Sequence, residues 1–101
     1  ANRSWVARSP SMKGPAMTYN RALNMIRHSG RLVAANQALR AIAPLCESDT
    51  DREFALHTYG VRVRVICERR AVVKGRVNRA AEHVAKAARM LGTTVEAIRL
   101  D

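Results

Sequence analysis

Seven cations fall between positions 62 and 79: Arg62, Arg64, Arg69, Arg70, Lys74, Arg76 and Arg79, with Glu68 as the only acid among them. A guanidinium fork matches phosphate oxygens two at a time and stacks on planar bases, so this block suits gripping a polyanion rather than making or breaking bonds. Each phosphate neutralised would release counterions, and affinity should fall steeply with salt. A sparser set precedes it: Arg3, Arg8, Lys13, Arg21, Arg27 and Arg31. Trp5, between Arg3 and Arg8, has a ring that could stack on an exposed base, or could pin the leading segment onto the core.

Catalytic chemistry finds little to work with. There is no glycine-rich phosphate loop and no pair of carboxylates in an apolar setting. Cys46 and Cys67 form no C-x-x-C pair, and neither has a histidine at a telling distance. His28, His57 and His83 lack metal-ligand spacing. We expect no enzyme, no metal and no cofactor. No apolar run reaches the length of a membrane span, and the residues present carry no signal-peptide pattern. The chain opens on Ala1, as a processed or partial product would.

The whole chain agrees with the block. Over 101 residues, eighteen Lys and Arg stand against eight Asp and Glu, for a formal charge of +10. Fifteen of the eighteen are arginine. A base-composition bias could replace Lys by Arg everywhere, but it would not produce the net charge. Nucleic acid, RNA above all, is the expected partner. The length bounds one domain, and 48% hydrophobic residues suffice for a modest core. With four aromatics (Trp5, Tyr19, Phe54 and Tyr59), packing must come mainly from Leu, Ile, Val and Ala.

Helices must position these cations. Residues 1–17 read as an extended basic segment broken by Pro10, Gly14 and Pro15. From Thr18, Tyr19, Ala22, Leu23 and Ile26 fall on one helical face, with Gly30 as a left-handed stop. A second helix spans Val33 to about Ala43, ended by Pro44, and should fold back on the first as a hairpin. Thr50 and Glu53 read as a capping box opening a third helix that buries Phe54 and Leu56 or Tyr59. The alternation Val61-Arg62-Val63-Arg64-Val65 favours a strand locally. It has no second strong strand to pair with, so the helix is carried to about Arg70. Val77 to Leu91 reads as a fourth helix with Ala81, Val84, Ala88 and Leu91 on one face, closed by Gly92.

The expected fold is all-α: a helical bundle over residues 18–70 with a C-terminal helical extension over 71–101. Within that extension, residues 84–99 resemble a helix-turn-helix, with Gly92 at the turn and Ile98 six residues on. That motif would seat a short second helix in the DNA major groove, as in a DNA-binding regulator.

The first half carries a more specific likeness. Arg3 with Trp5-Val6-Ala7-Arg8, then Ala16-Met17-Thr18-Tyr19, the eleven-residue step from Tyr19 to Gly30, the apolar run Ala38 to Ala43 and Asp51-Arg52-Glu53-Phe54 occur in that order. This series resembles the C-terminal globular part of the bacterial-type large-subunit ribosomal protein of the L-twenty family, over roughly residues 2–56. The family's long basic N-terminal helix is absent or lies outside this chain. Pro10-Ser11-Met12 replaces its Asn-Ala-Ala, and residues 57–101 are an extension without a family equivalent. The resemblance implies a structural constituent of the large ribosomal subunit, binding ribosomal RNA and neighbouring ribosomal proteins, with no membrane or small-molecule substrate. Divergence of this degree implies a mitochondrial ribosome, with bacterial cytoplasm or plastid as alternatives. On that reading Arg3, Arg8, Lys13, Arg21, Arg27 and Arg31 hold phosphates on one side of the hairpin. The 62–79 block then reaches a second RNA segment or a neighbouring protein, and Leu23, Ile26, Leu39, Ile42 and Phe54 hold the hairpin in shape.

Overall fold

A computed structural model describes residues 16–97 of the chain. Four α-helices and no strands occur among the described residues: α1 (Tyr19–Arg27), α2 (Leu32–Ile42), α3 (Asp49–Lys74) and α4 (Ala80–Leu91). Two 3-10 turns, Ala43–Leu45 and Val95–Ala97, complete them.

α1 begins where Thr18, in extended conformation, accepts a hydrogen bond from the Arg21 N–H at 3.2 Å. Ala22, Leu23 and Ile26 are buried along one face, as their spacing requires. Its end differs from the expected glycine stop, because positive φ among the described glycines is confined to Gly75 and Gly92. Ser29 closes α1 instead: its backbone N–H and its hydroxyl both donate to the Ile26 carbonyl, at 3.2 and 2.7 Å. A buried side chain thus satisfies an orphan carbonyl that a left-handed glycine would otherwise have served.

α2 starts one residue before the expected Val33 and folds back along α1, burying Ala35, Ala38, Leu39 and Ile42. Pro44 does not break the chain abruptly. It sits in the first positions of the 3-10 turn, where its missing N–H costs nothing.

The cap of α3 lies two residues before the expected Thr50–Glu53 box. Ser48 is the N-cap, its hydroxyl accepting from Asp51 N–H at 3.1 Å, while Asp51 Oδ2 accepts from Glu47 N–H at 2.9 Å. The arrangement resembles a capping box shifted by one donor, since Asp51 reaches back to Glu47 N–H rather than to that of the N-cap Ser48. Asp49 and Asp51 in the first turn also favour the positive end of the helix dipole.

α3 then runs unbroken through Gly60 and past the expected Arg70 to Lys74, about 39 Å at 1.5 Å per residue. Leu56, Tyr59, Gly60, Val63, Ile66 and Cys67 are buried at helical spacing. In the Val/Arg alternation Val63 is buried whereas Val61 and Val65 are exposed, so the period of 3.6 prevails over the period of two. Two hydroxyls tie α3 to its neighbours: Tyr19 donates to the Asp51 carbonyl at 2.7 Å and Tyr59 donates to Asn36 Oδ1 at 2.6 Å.

Phe54 is not part of this core. Ala55 and Leu56 occupy the inward positions of the same turn at 0% exposure, which rotates Phe54 outward to 45%. The hairpin is held instead by Leu23, Ile26, Leu39 and Ile42 together with Leu56 and Tyr59.

Gly75, at φ 63°, ends α3 and turns the chain into α4. α4 begins at Ala80 rather than Val77 and buries Ala80, Val84, Ala87, Ala88 and Leu91. Ala81, expected inside, is exposed, and Ala87 takes the inward place. The stretch expected as an extension thus contributes Val84, Ala87, Ala88 and Leu91 to the same buried cluster as α1 to α3. Gly92, at φ 76°, closes α4 with two bonds, Thr93 N–H to the Ala88 carbonyl and Gly92 N–H to the Arg89 carbonyl. These are the 6→1 and 5→2 pair of a Schellman motif.

Candidate nucleic-acid interface

The last turns of α3 and the first turn of α2 form one wall each of an open groove of about 400 Å³. Arg31, Arg69, Arg70 and Lys74 line it together with Leu32, Val33, Ile66 and Val73, of which Val33 and Val73 are largely exposed. Positions 66, 69, 70, 73 and 74 share a face of α3 because they recur at i, i+3, i+4, i+7 and i+8. Leu32 and Arg70 are shared with a second groove, completed by Cys67, Gly75, Arg76, Val77, Arg79 and His83. The two hollows therefore form one continuous basic surface running from the start of α2 to the start of α4.

Backbone adds to the side chains. Arg31 is the N-cap of α2 and supplies no side-chain cap, so the first N–H groups of that helix, beside the groove that Arg31, Leu32 and Val33 line, are left unsatisfied by it. A helix N-terminus with free donors favours anions. At α4 one such donor is used, Ala80 N–H bonding Asn78 Oδ1 at 3.0 Å.

Ion pairing leaves most of this charge uncompensated. Among the described residues two ion pairs form, Arg52 with Asp49 and Arg79 with Glu82, the latter at 3.4 Å. Arg31, Arg69, Arg70, Lys74 and Arg76 have no carboxylate within that reach among the described residues. Mutual repulsion of this kind weakens a free protein and is relieved by an anionic partner.

The sequence-predicted residues redistribute. Arg31 leaves its expected company on the hairpin and joins Arg69, Arg70, Lys74, Arg76 and Arg79. Arg64 departs from the block, facing a separate hollow with Glu68, Asn78 and Val84, because a step of five or six residues from Arg69 and Arg70 turns it to another side of α3. Arg27 and Arg62 meet around Phe54, apart from both groups. Arg21 is exposed on the first turn of α1. Arg3, Trp5, Arg8 and Lys13 lie outside the described residues.

His83 and the apolar lining of the groove escaped the reading of the sequence. His83 was legible, since it stands four residues after Arg79. The lining was not, because it needs α2 set against α3.

Burial, and next the Asp51 carboxylate, push the Cys46 thiol up, which disfavours the reactive thiolate, and its Sγ donates to the Ile42 carbonyl at 3.4 Å. Cys67 is buried and free. Among the described residues no three His, Cys, Asp or Glu side chains gather as a metal-holding group, and no helix is long and apolar enough to cross a membrane.

The fold and this surface together define an all-helical protein with a continuous cationic groove. Comparison with protein families, curated proteins and solved structures returned no match to the chain.

Proposed function

We propose that the protein binds structured RNA through its phosphate backbone, and that its setting is the large ribosomal subunit, where it stabilises folded ribosomal RNA. The observation that carries the RNA reading is the convergence of Arg31, Arg69, Arg70, Lys74, Arg76 and Arg79 on one surface with a single carboxylate, Glu82, in attendance. Five of those six are guanidiniums, which bind phosphate oxygens in pairs. Such contacts position a protein on a folded nucleic acid without reading its bases. The exposed Val33 and Val73 in the same lining give the sugar faces of a bound strand something to lie against.

The ribosomal setting rests on the resemblance of residues 2–56 to the L-twenty family. A mitochondrial ribosome is the location its divergence implies. No catalysis, cofactor or small-molecule substrate belongs to this proposal.

Binding to a structured RNA stem tests it, measured over a range of salt. Replacing Arg69, Arg70 and Lys74 together by Gln should flatten the plot of log K against log salt by about three units, roughly one for each phosphate no longer neutralised. An unchanged slope would refute the groove. Co-sedimentation with large ribosomal subunits tests the setting separately.

The regulator reading on residues 84–99 draws less support. After Gly92 the described chain makes a three-residue 3-10 turn, Val95–Ala97, where a recognition helix would have to begin. Stronger binding to duplex DNA than to RNA, abolished on changing Thr94 and Arg99, would favour that reading.

A further inference from the structure

The hollow around Phe54 combines three features that the backbone-gripping groove does not use. A large aromatic ring stands 45% exposed in a chain with few aromatics to spare for its surface. The Arg27 guanidinium carbon lies over that ring, 5.9 Å from its centroid, close enough for a cation–π contact that fixes the ring's attitude. Arg62, which lines the same hollow, keeps its Nε buried and without a hydrogen-bond partner. Arg27, Phe54, His57, Thr58, Val61 and Arg62 together line about 380 Å³, within the range of small-ligand pockets.

We propose that this hollow seats a single unpaired RNA nucleotide, its base against Phe54 and its phosphate on the Arg27 and Arg62 guanidiniums. The inference rests on the RNA reading above and adds to it a preference for unpaired residues. Bases inside a stem have no free face, whereas a bulged or looped base can be splayed out and stacked on an aromatic side chain. Neither arginine forms an ion pair among the described residues, so both charges are available to a phosphate. Among the described residues Arg27 is otherwise engaged only at the Asn24 side-chain oxygen, at 3.0 Å. A covered guanidinium N–H without a partner is a standing cost. A phosphate drawing Arg62 outward would relieve it.

Arg62 and Arg69 are seven residues apart on one side of α3, roughly 10 Å along the helix. Phe54 lies a further eight residues back, about 12 Å more, so a strand held at Arg69 and Arg70 would need several nucleotides to reach it. An acidic peptide would satisfy the arginines but leave the ring without a planar partner. Thr58 offers little to any ligand, since its hydroxyl already donates to the Phe54 carbonyl at 2.9 Å.

The test compares one RNA stem carrying a single bulged 2-aminopurine with the same stem fully paired. The wild-type protein should bind the bulged stem about tenfold more tightly, the scale of one base–aromatic stack, and should change the fluorescence of the bulged base. Phe54→Leu should abolish the preference and the fluorescence change while leaving the melting temperature and the affinity for the paired stem intact. Phe54→Tyr should restore both. The variant with Gln at Arg69, Arg70 and Lys74 should weaken both stems equally. Equal binding of the two stems by wild type, or a preference that survives Phe54→Leu, would sink the nucleotide seat and leave the groove standing. Absence of salt-dependent binding to either stem would sink both.

Discussion

In its first half α3 buries Ala55, Leu56, Thr58 and Tyr59, opens on Asp49 and Asp51, and is tied to α1 and α2 by the Tyr19 and Tyr59 hydroxyls. In its last turns the same helix presents Arg69, Arg70 and Lys74, with Val72 and Val73 mostly exposed to solvent. The first half carries apolar burial and satisfied hydrogen bonds. The last turns carry unpaired charge beside uncovered apolar surface, an arrangement that a partner would improve. One continuous helix thus carries its hydrogen-bonded anchorage at one end and its densest uncompensated charge at the other, and rigidity connects them: the packed part holds the charged end in place.

The largest expected effect is on the packed half. Leu56→Ala should lower the unfolding free energy by about 2–5 kcal/mol in urea titration, since a fully buried side chain leaves a cavity. Changing Arg69, Arg70 and Lys74 to Gln should leave the urea midpoint at or above wild type, because it removes repulsion and no packing. If that triple variant unfolded as readily as Leu56→Ala, the division of α3 would be wrong.

The junction beyond the charged half comes next. Gly75 holds φ 63°, and a Cβ built there meets nothing within 4 Å, so the cost of Gly75→Ala is torsional. Thermal unfolding should register a loss of about 1–2 kcal/mol. No loss would mean that the turn from α3 into α4 does not depend on left-handed backbone.

The start of α3 gives a smaller and sharper contrast. Ser48→Ala should cost about 1 kcal/mol, whereas Thr50→Ala should change stability by no more than about 0.5 kcal/mol. The reverse order would return the cap to Thr50.

The smallest effect is a slope with pH. Burial first, then the nearby Cys46 and Asp51, push the Tyr19 phenol from 10.0 up to about 12, with Arg27 opposing. The native state therefore keeps this proton between about pH 10 and 12, where the unfolded chain has shed it. Stability from this group is whole below pH 10 and declines as pH climbs towards 12. Unfolding midpoints for wild type and Tyr19→Phe should diverge from parallel only in that window.

Much of the scaffold was legible from local pattern. The face Ala22, Leu23 and Ile26, the face Ala35, Leu39 and Ile42, and the stop at Gly92 could be read because each depends on residues within a turn or two. The Ser29 closure was obscured by Gly30, since a hydroxyl bonded to a carbonyl three residues back has no periodic signature. Ser48 was passed over for Thr50 because both precede an acidic residue by three positions, and local sequence does not choose between them.

The candidate site was legible in kind and not in arrangement. Its residue types declared a polyanion partner, and the density of 62–79 marked where. Read as a run, however, the block kept Arg64 and omitted Arg31 and His83, because linear proximity ignores rotation about a helix axis.

By itself the amino-acid order determined that the described chain is helical and that it carries a large excess of guanidinium, because helix periodicity and net charge are properties of neighbours and of sums. Only tertiary packing decided that Arg31 joins Arg69 and Arg70, that α4 shares the core, and that Phe54 faces outward in a hollow it shares with Arg27 and Arg62. Those outcomes depend on how α1, α2 and α4 are set against α3, and the burial of Leu56 and Tyr59 fixes that setting by leaving α3 a single rotation that fills the interior.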